Sequence, residues 1–281
     1  MKQVTDQQII QILRKEAVPA LGSTEPVACA LACAKCKEVL GGVPERLDVL
    51  VSGNIYKNGM GVGIPGTGMV GLPIAAALGA VCGKSEYGLE VLKEVNVGDN
   101  LQRAKDMLGQ VTVSLKEDAP DKLYAEALAT KGNDRVKVII AHTHTNIVLV
   151  EKNGEEIFKR EFRLDTSKPE DKGPELSVKR IWDFVHEVDV KDIEFVLQGA
   201  EMNKAISAEG LNSEYGLQIG KTLKENIDKG LLEDDLLNRT LIRATAASDA
   251  RMDGCPKPVM TNSGSGNQGI TVYLPVVVAA E

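Results

Sequence analysis

The hydrophobic period of this chain changes twice along its length, and that limits its fold more than any other feature. Residues 110–160 contain VTVSL, LYAEALAT, RVKVIIAHT and NIVLVEK, all rich in β-branched residues. Asn153-Gly154, between NIVLVEK and EEIFKREF, suits a type I′ hairpin turn, which needs two successive left-handed backbone conformations. This stretch reads as an antiparallel meander. On either side the spacing is helical. Ile9, Ile10, Leu13 and Val18 suit a first helix running to about Pro19, opened by a Thr5/Gln8 capping box. Ile193, Val196, Leu197, Ala200 and Ile206 mark one later helix face, and Leu236, Leu237, Leu241 and Ala244 another. The expected class is α+β: a largely helical domain over 1–109 and 166–281 with an inserted antiparallel β-rich subdomain at 110–165. The polar stretch DTSKPEDKGPE, 165–175, reads as a linker. From about Gln268 the last helix, ITVYLPVVVAAE, is apolar all round. Such a helix needs cover on every side, so a continuation of the chain or a second chain, as in a homo-oligomer, is expected over it.

Charge and apolar runs remove several functions from consideration. With 33 Lys and Arg against 40 Asp and Glu the chain carries −7, and no local basic block offsets this, so no nucleic-acid partner is expected. No run of about 18 apolar residues is present, and the opening MKQVTDQQII is polar where a leader would be apolar. The expectation is a cytoplasmic protein with no membrane partner. Five cysteines, an odd number without an export signal, do not suggest a disulfide framework.

Four constellations are candidates for chemistry. LGSTEPVACALACAKC, 21–36, sets a GSTEP turn before a helix that Thr24 can cap, with Glu25 well placed against the helix dipole. Its Cys29, Cys33 and Cys36 have the C-x3-C-x2-C spacing of an iron–sulfur motif. On an Ala-rich helix, however, they would form a line about 10 Å long instead of a cup, which suits packing. GMGVGIPGTGMVG, 59–71, lacks the context of a phosphate loop or a dinucleotide fingerprint; it is either a close backbone approach or the wall of a small-ligand pocket. His142 and His144, two apart, would share one face of a strand, as a hydrogen-bonding pair or as the start of a metal or catalytic site. His186 beside Trp182 reads as structural. DGCPKPVMTNSGSGNQGI, 253–270, puts Cys255 in irregular backbone between Gly254 and Pro256. It then places Ser263, Gly264, Ser265, Gly266 and Asn267 at the start of a helix, where amides and hydroxyls can cradle a carboxylate or phosphate.

Taken together, GSTEP at 22–26, KNGMGVGIPGTG at 57–68, HTNI at 144–147 and CPKPVMTNSGSGNQG at 255–269 resemble the iron–sulfur L-cysteine desulfidases and the related α chain of bacterial iron–sulfur L-serine dehydratases. The resemblance runs from the first helix to the last residue. It implies a catalytic-type domain performing β-elimination without pyridoxal phosphate: L-cysteine to pyruvate, ammonia and sulfide, or L-serine to pyruvate and ammonia. In the family a [4Fe–4S] cluster held by three cysteines draws off the leaving group. Cys255 matches the first of these ligands; the other two belong to a segment beyond SGSGNQG that this chain does not reach, which implies a C-terminally truncated chain without the cluster. Ser23, Thr24 and Glu25 fall at the catalytic turn, and Ser23 stands where the desulfidases have a cysteine proposed as the base. A hydroxyl is a far weaker acid than a thiol and needs a partner base. Asn58, His144 and the loop of Ser263, Gly264, Ser265, Gly266 and Asn267 fall at the substrate. The alternative expectation is a non-catalytic protein that binds a small carboxylate or amino acid through SGSGN.

Overall fold

The computed structural model describes residues 4–160 and 176–281, so the expected linker at 165–175 lies outside the described residues. In chain order come helix α1 (Asp6–Glu16), strand β1 (Pro19–Ala20), α2 (Thr24–Leu40), β2 (Arg46–Val51) and α3 (Gly53–Gly59). A small hairpin, β3 (Gly63–Ile64) and β4 (Met69–Val70), precedes α4 (Leu72–Val81) and α5 (Asn100–Met107). The β-rich stretch gives β5 (Val111–Leu115), β6 (Tyr124–Lys131), β7 (Asp134–Ala141), β8 (Ile147–Lys152) and β9 (Glu155–Lys159). Helices α6 (Val178–Glu187), α7 (Val190–Ile193), α8 (Leu197–Asn212), α9 (Ile219–Asp228) and α10 (Leu236–Met252) follow, then β10 (Val259–Met260) and α11 (Gly266–Ala280). The class is α+β, mostly helical around one principal sheet.

Local signals were obeyed. Thr5 Oγ1 accepts the Gln8 amide at 3.3 Å while Gln8 Oε1 accepts the Thr5 amide at 2.9 Å, the reciprocal pair of a capping box. Asn153 and Gly154 both have positive φ, 54° and 87°, as a type I′ turn between β8 and β9 requires. The sheet order, β5-β2-β6-β7-β8-β9, departs from the simple meander expected for 110–160. Only β6 to β9 are a meander; β2 enters from earlier in the chain, antiparallel to β6 and parallel to β5. Its alternating Leu47, Val49 and Val51 are all buried, which suits a central strand and excludes an edge.

Helix α2 lies on β6 and β7 and against α4, and this packing accounts for its small residues. Ala125, Ala127 and Ala129 of β6 face the core, and Cys36 Sγ reaches the carbonyl of Ala127 at 3.6 Å. Cys29 and Cys33 are fully buried in the same cluster. Burial pushes the Cys29 thiol up to about 12 and the Cys33 and Cys36 thiols well above their ordinary range, so all three stay protonated at neutral pH. On α4, Gly79 lies against the Ala30 backbone of α2; a Cβ there would stand 2.7 Å from the Ala30 carbonyl carbon. The glycine is what lets the two helices cross so closely.

The second half forms a helical layer in which α8, α9 and α11 pack on α10. Its core includes Ile206, Ala247, Ala250, Ile270 and Leu274. One helical expectation is corrected here. Leu236, Leu237 and Leu241 are exposed, because α10 instead turns Ile242, Ala246, Ala247 and Ala250 inward. Helix α11 is covered on one side only: Ile270, Leu274 and Val278 are buried, whereas Val272 and Val276 face outward.

The halves are joined beside the first turn. Strand β1 pairs antiparallel with β10, Pro19 opposite Met260 and Ala20 opposite Val259. Thr261 adds two bonds to the Val18 carbonyl, from its amide at 2.9 Å and its hydroxyl at 2.7 Å. Asn203, fully buried on α8, accepts the Met260 amide at 2.9 Å and so holds the other edge of β10.

Two outcomes follow. Gly79→Val should lower stability by about 3 kcal/mol through overpacking at the helix crossing, read as a reduced urea midpoint; an unchanged midpoint would show that α2 and α4 are not in this contact. All five cysteines are buried, so Ellman's reagent at pH 8 should titrate none of them promptly until denaturant is added, and rapid labelling of Cys29, Cys33 or Cys36 would contradict the packing described.

Candidate functional site

Strand β1 ends at Ala20 and delivers the chain into the GSTEP turn, where Gly22 takes φ 83° with its Cα against Pro65. Helix α2 begins at Thr24, so the N-cap position belongs to Ser23, one residue earlier than expected. Ser23 does not cap with its side chain. Its Oγ donates to Glu25 Oε2 at 3.0 Å, Thr24 Oγ1 donates to the same oxygen at 3.3 Å, and Asn58 Nδ2 donates to Oε1 at 3.2 Å. Burial alone would raise the Glu25 carboxyl. Its backbone hydrogen bond, the Ser23 and Asn58 donors and the nearby His144 outweigh burial and hold it below its ordinary 4.5. Glu25 is therefore a carboxylate at neutral pH.

The second motif arrives through β10. Asn262 and Ser265 exchange backbone hydrogen bonds at 3.0 and 3.1 Å, closing a tight turn whose two central residues, Ser263 and Gly264, have φ of 49° and 73°. Ser265 then caps α11, its Oγ accepting the Gln268 amide at 3.3 Å. Because β1 and β10 are paired, this helix start faces the GSTEP turn. Between them lies a cavity of about 240 Å³ lined by Ser23, Thr24, Glu25, Asn58, Ser265, Asn267, Met252 and Arg251. A wider groove of about 950 Å³ beside Phe195 and Arg14 is larger but takes only Lys257 and Pro258 from the motifs and none of the expected catalytic or substrate-binding residues. Chemistry rather than size selects the smaller cavity.

Not every expected residue reaches it. Ser263 and Gly264 form the turn and are not among its lining residues, and Gly266 is buried beneath the helix start. His142 and His144 are not on a strand, because β7 ends at Ala141 and the chain turns there with His142 at φ 70°. His142 Nδ1 lies 3.0 Å from an Asp121 carboxylate oxygen. His144 lines an adjoining cavity of about 140 Å³ that shares Glu25 and Asn58 with the first. Its burial lowers its pKa against the opposing pull of Glu25, leaving a neutral imidazole at pH 7. The glycine stretch is mainly a close backbone approach: the Gly63 Cα leaves no room for a side chain against Asp253, and the Gly66 amide donates to the Gly254 carbonyl at 3.1 Å.

Cys255 is 1% exposed in the α8–α10–α11 core, and burial raises its thiol despite the Tyr215 hydroxyl beside it. Among the described residues no group of three or more His, Cys, Asp or Glu is arranged to hold a metal ion. One core thiol does not fit the three-thiolate requirement of a [4Fe–4S] cluster, so no chemical step is assigned to one here.

Sequence reasoning missed Arg251. It sits in the last turn of α10, 4% exposed, with Nη2 donating to the Gly22 carbonyl at 2.9 Å and Nη1 to Asn267 Oδ1 at 3.0 Å. The available signal was an arginine amid the alanines of ATAASDARM, four residues beyond a buried Ala247.

These features define an α+β protein with a small, charged polar cavity where two strand-to-helix turns meet. The chain belongs to the serine dehydratase alpha chain family, whose pattern it matches over residues 86–281. It is 48% identical to a UPF0597 protein of Actinobacillus pleuropneumoniae serotype 3 (strain JL03), over 99% of this chain and 65% of that protein. It is 48% identical to a UPF0597 protein of Dichelobacter nodosus, over 98% and 64%, and 46% identical to one of Parabacteroides distasonis, over 100% and 66%. The chain thus spans about two thirds of the length of these curated relatives. No solved structure matches it. Among the described residues no helix is long and apolar enough to cross a membrane.

The low Glu25 pKa has a checkable sign. A depressed carboxyl stabilises the fold fully above its unfolded value, near 4.5, and that contribution disappears as pH falls through the lower native value. The stability difference between the parent and Glu25→Gln should therefore shrink below about pH 4, measured by urea unfolding from pH 7 down to pH 3. A difference that stayed constant across this range would show that Glu25 is not held as a carboxylate.

Proposed function

We propose that the chain forms the substrate-binding half of a pyridoxal-phosphate-independent lyase that eliminates the β substituent of a small amino acid, L-serine or L-cysteine. The family link is to amino-acid lyase chemistry. The observation that carries the reading is the Glu25 carboxylate, ionised and oriented by Ser23, Thr24 and Asn58 at the wall of a cavity that also receives Ser265 and Asn267 of the SGSGN loop.

In this reading the roles in the GSTEP turn divide. The Ser23 hydroxyl points its proton at Glu25, so it fixes the carboxylate and is not itself the base. Glu25 accepts the α proton, with the neutral His144 on its far side able to share that proton. The Cα–H electron pair forms the Cα=Cβ bond as the Cβ–O or Cβ–S bond breaks, and the leaving hydroxide or hydrosulfide takes the proton shared by Glu25 and His144 to depart as water or hydrogen sulfide. The aminoacrylate released then hydrolyses to pyruvate and ammonia. Ser265 and Asn267 orient the substrate. Cys255, matched to a cluster ligand in the family, has no role in these steps.

A second reading is a binding protein without turnover. The Ser23 hydroxyl in place of a thiol and the burial of Cys255 favour it.

The test is product formation. Incubation of the chain with L-serine or L-cysteine should give pyruvate, with sulfide from cysteine. Glu25→Gln should reduce the rate by roughly 100-fold or more, the scale of removing a general base, and Ser23→Ala should reduce it less. Binding of either amino acid with no pyruvate would establish the second reading.

A further inference from the structure

Arg251 is a buried cation without a counter-ion. A guanidinium offers five N–H donors. Two of its nitrogens donate to neutral oxygens, the Gly22 carbonyl and the Asn267 amide oxygen, and Nη1 also faces the Met252 sulfur at 3.7 Å. Its Nε is buried with no acceptor. Among the described residues it forms no ion pair with a carboxylate. Burial lowers its pKa to about 10, against the distant pull of Glu25, so the side chain remains charged at neutral pH. An unpaired buried charge is costly to the fold.

The surroundings are shaped to keep it there. Gly266, the first residue of α11, lies directly over the guanidinium; a Cβ would stand 2.6 Å from Arg251 Cζ. Without a side chain at 266 the guanidinium sits against the opening turn of α11, whose first amides have no acceptor within the helix. Arg251 and this helix start line the same cavity, with Glu25 on its wall. A volume of about 240 Å³ is room enough for a small amino acid.

We propose that Arg251 is the residue that recognises the ligand's carboxylate, and that the cavity selects small α-amino acids by pairing that carboxylate with Arg251 and the ammonium with Glu25. This rests on reading the cavity as the substrate site, but it does not require turnover. Such a ligand supplies the anion Arg251 lacks and the cation Glu25 lacks. Sequence reading had placed the carboxylate on the SGSGN loop alone; here the loop supplies the helix start and the arginine supplies the charge.

Calorimetric titration of the 281-residue chain with L-serine and L-cysteine, each against its carboxamide, tests this. The amides keep the ammonium and the β substituent but lose the anion, and should bind roughly 10- to 100-fold more weakly, the scale of a charge-assisted buried contact. Arg251→Gln should remove the difference between acid and amide, and Arg251→Lys should restore part of it. Arg251 also anchors Gly22 and Asn267, so the fold of each variant is checked by circular dichroism. If Arg251→Gln unfolds, Gly266→Ala, which displaces the guanidinium, should weaken the acids and spare the amides. Equal affinity for acid and amide in the parent protein, no binding of either acid, or unchanged binding in a folded Arg251→Gln each overturns the assignment. Tight binding of the acids without pyruvate formation removes the lyase reading and leaves Arg251 in place.

Discussion

The site depends on two residues of β-structure. The pairing of Pro19 and Ala20 with Met260 and Val259 joins segments some 240 positions apart, and each motif begins within three residues of its strand. A ladder this short has little stability alone. It persists because both flanks are held: the buried Asn203 amide bonds the far edge of β10, and Thr261 extends the pairing to Val18. Pro19 costs nothing at such an edge, where its missing amide hydrogen has no partner to lose. A shift of one residue would turn the GSTEP turn away from the SGSGN loop and divide the cavity's lining between separate surfaces.

Charge placement around the cavity follows from that join. Glu25 comes with the start of α2 and Arg251 with the end of α10, and the Gly22 carbonyl ties the arginine to the turn that carries Glu25. The two ions sense each other but make no contact, and Glu25 is oriented by the neutral donors of Ser23, Thr24 and Asn58. A direct ion pair would have closed the cavity and satisfied both. Held apart, they leave a polar gap with a negative and a positive wall, and His144, kept neutral by burial, adds no third charge. Such a layout favours a zwitterion over a simple anion or cation.

What could be read from the sequence was what is local. The capping box at Thr5, the left-handed pair at Asn153-Gly154 and the Ala- and Cys-rich helix at 24–40 each depend on residues a few positions apart, and each is present. The non-local features were not legible. Nothing in LDVLVSG states that β2 enters the sheet between β5 and β6, because strand partners are chosen by packing across the whole core. The stripe Leu236, Leu237, Leu241 looked like a buried face, yet the side of α10 that packs is the one whose alanines admit Gly210 and Gly220 at close range. In the site, the two glycine-bearing turns were visible as motifs. Arg251 was not, since its importance lies in what it fails to pair with.

Residue 23 shows how the fold changes the meaning of a substitution. Read alone, a serine where the resemblance to the desulfidases implies a thiol is a loss, because a hydroxyl cannot hold a negative charge at neutral pH. In place, its proton is directed at Glu25, so its partner already holds the charge. A hydroxyl donating to a carboxylate lowers that carboxylate's pKa and fixes its second oxygen for other donors, here Asn58 on α3. In the proposed reading the basic atom of the turn lies at position 25, two residues beyond Ser23. Glu25 is a weaker base for that same stabilisation, so a lyase reaction as proposed would rely on orienting the α proton toward it, and orientation is what a charge at each end of the proposed ligand would provide.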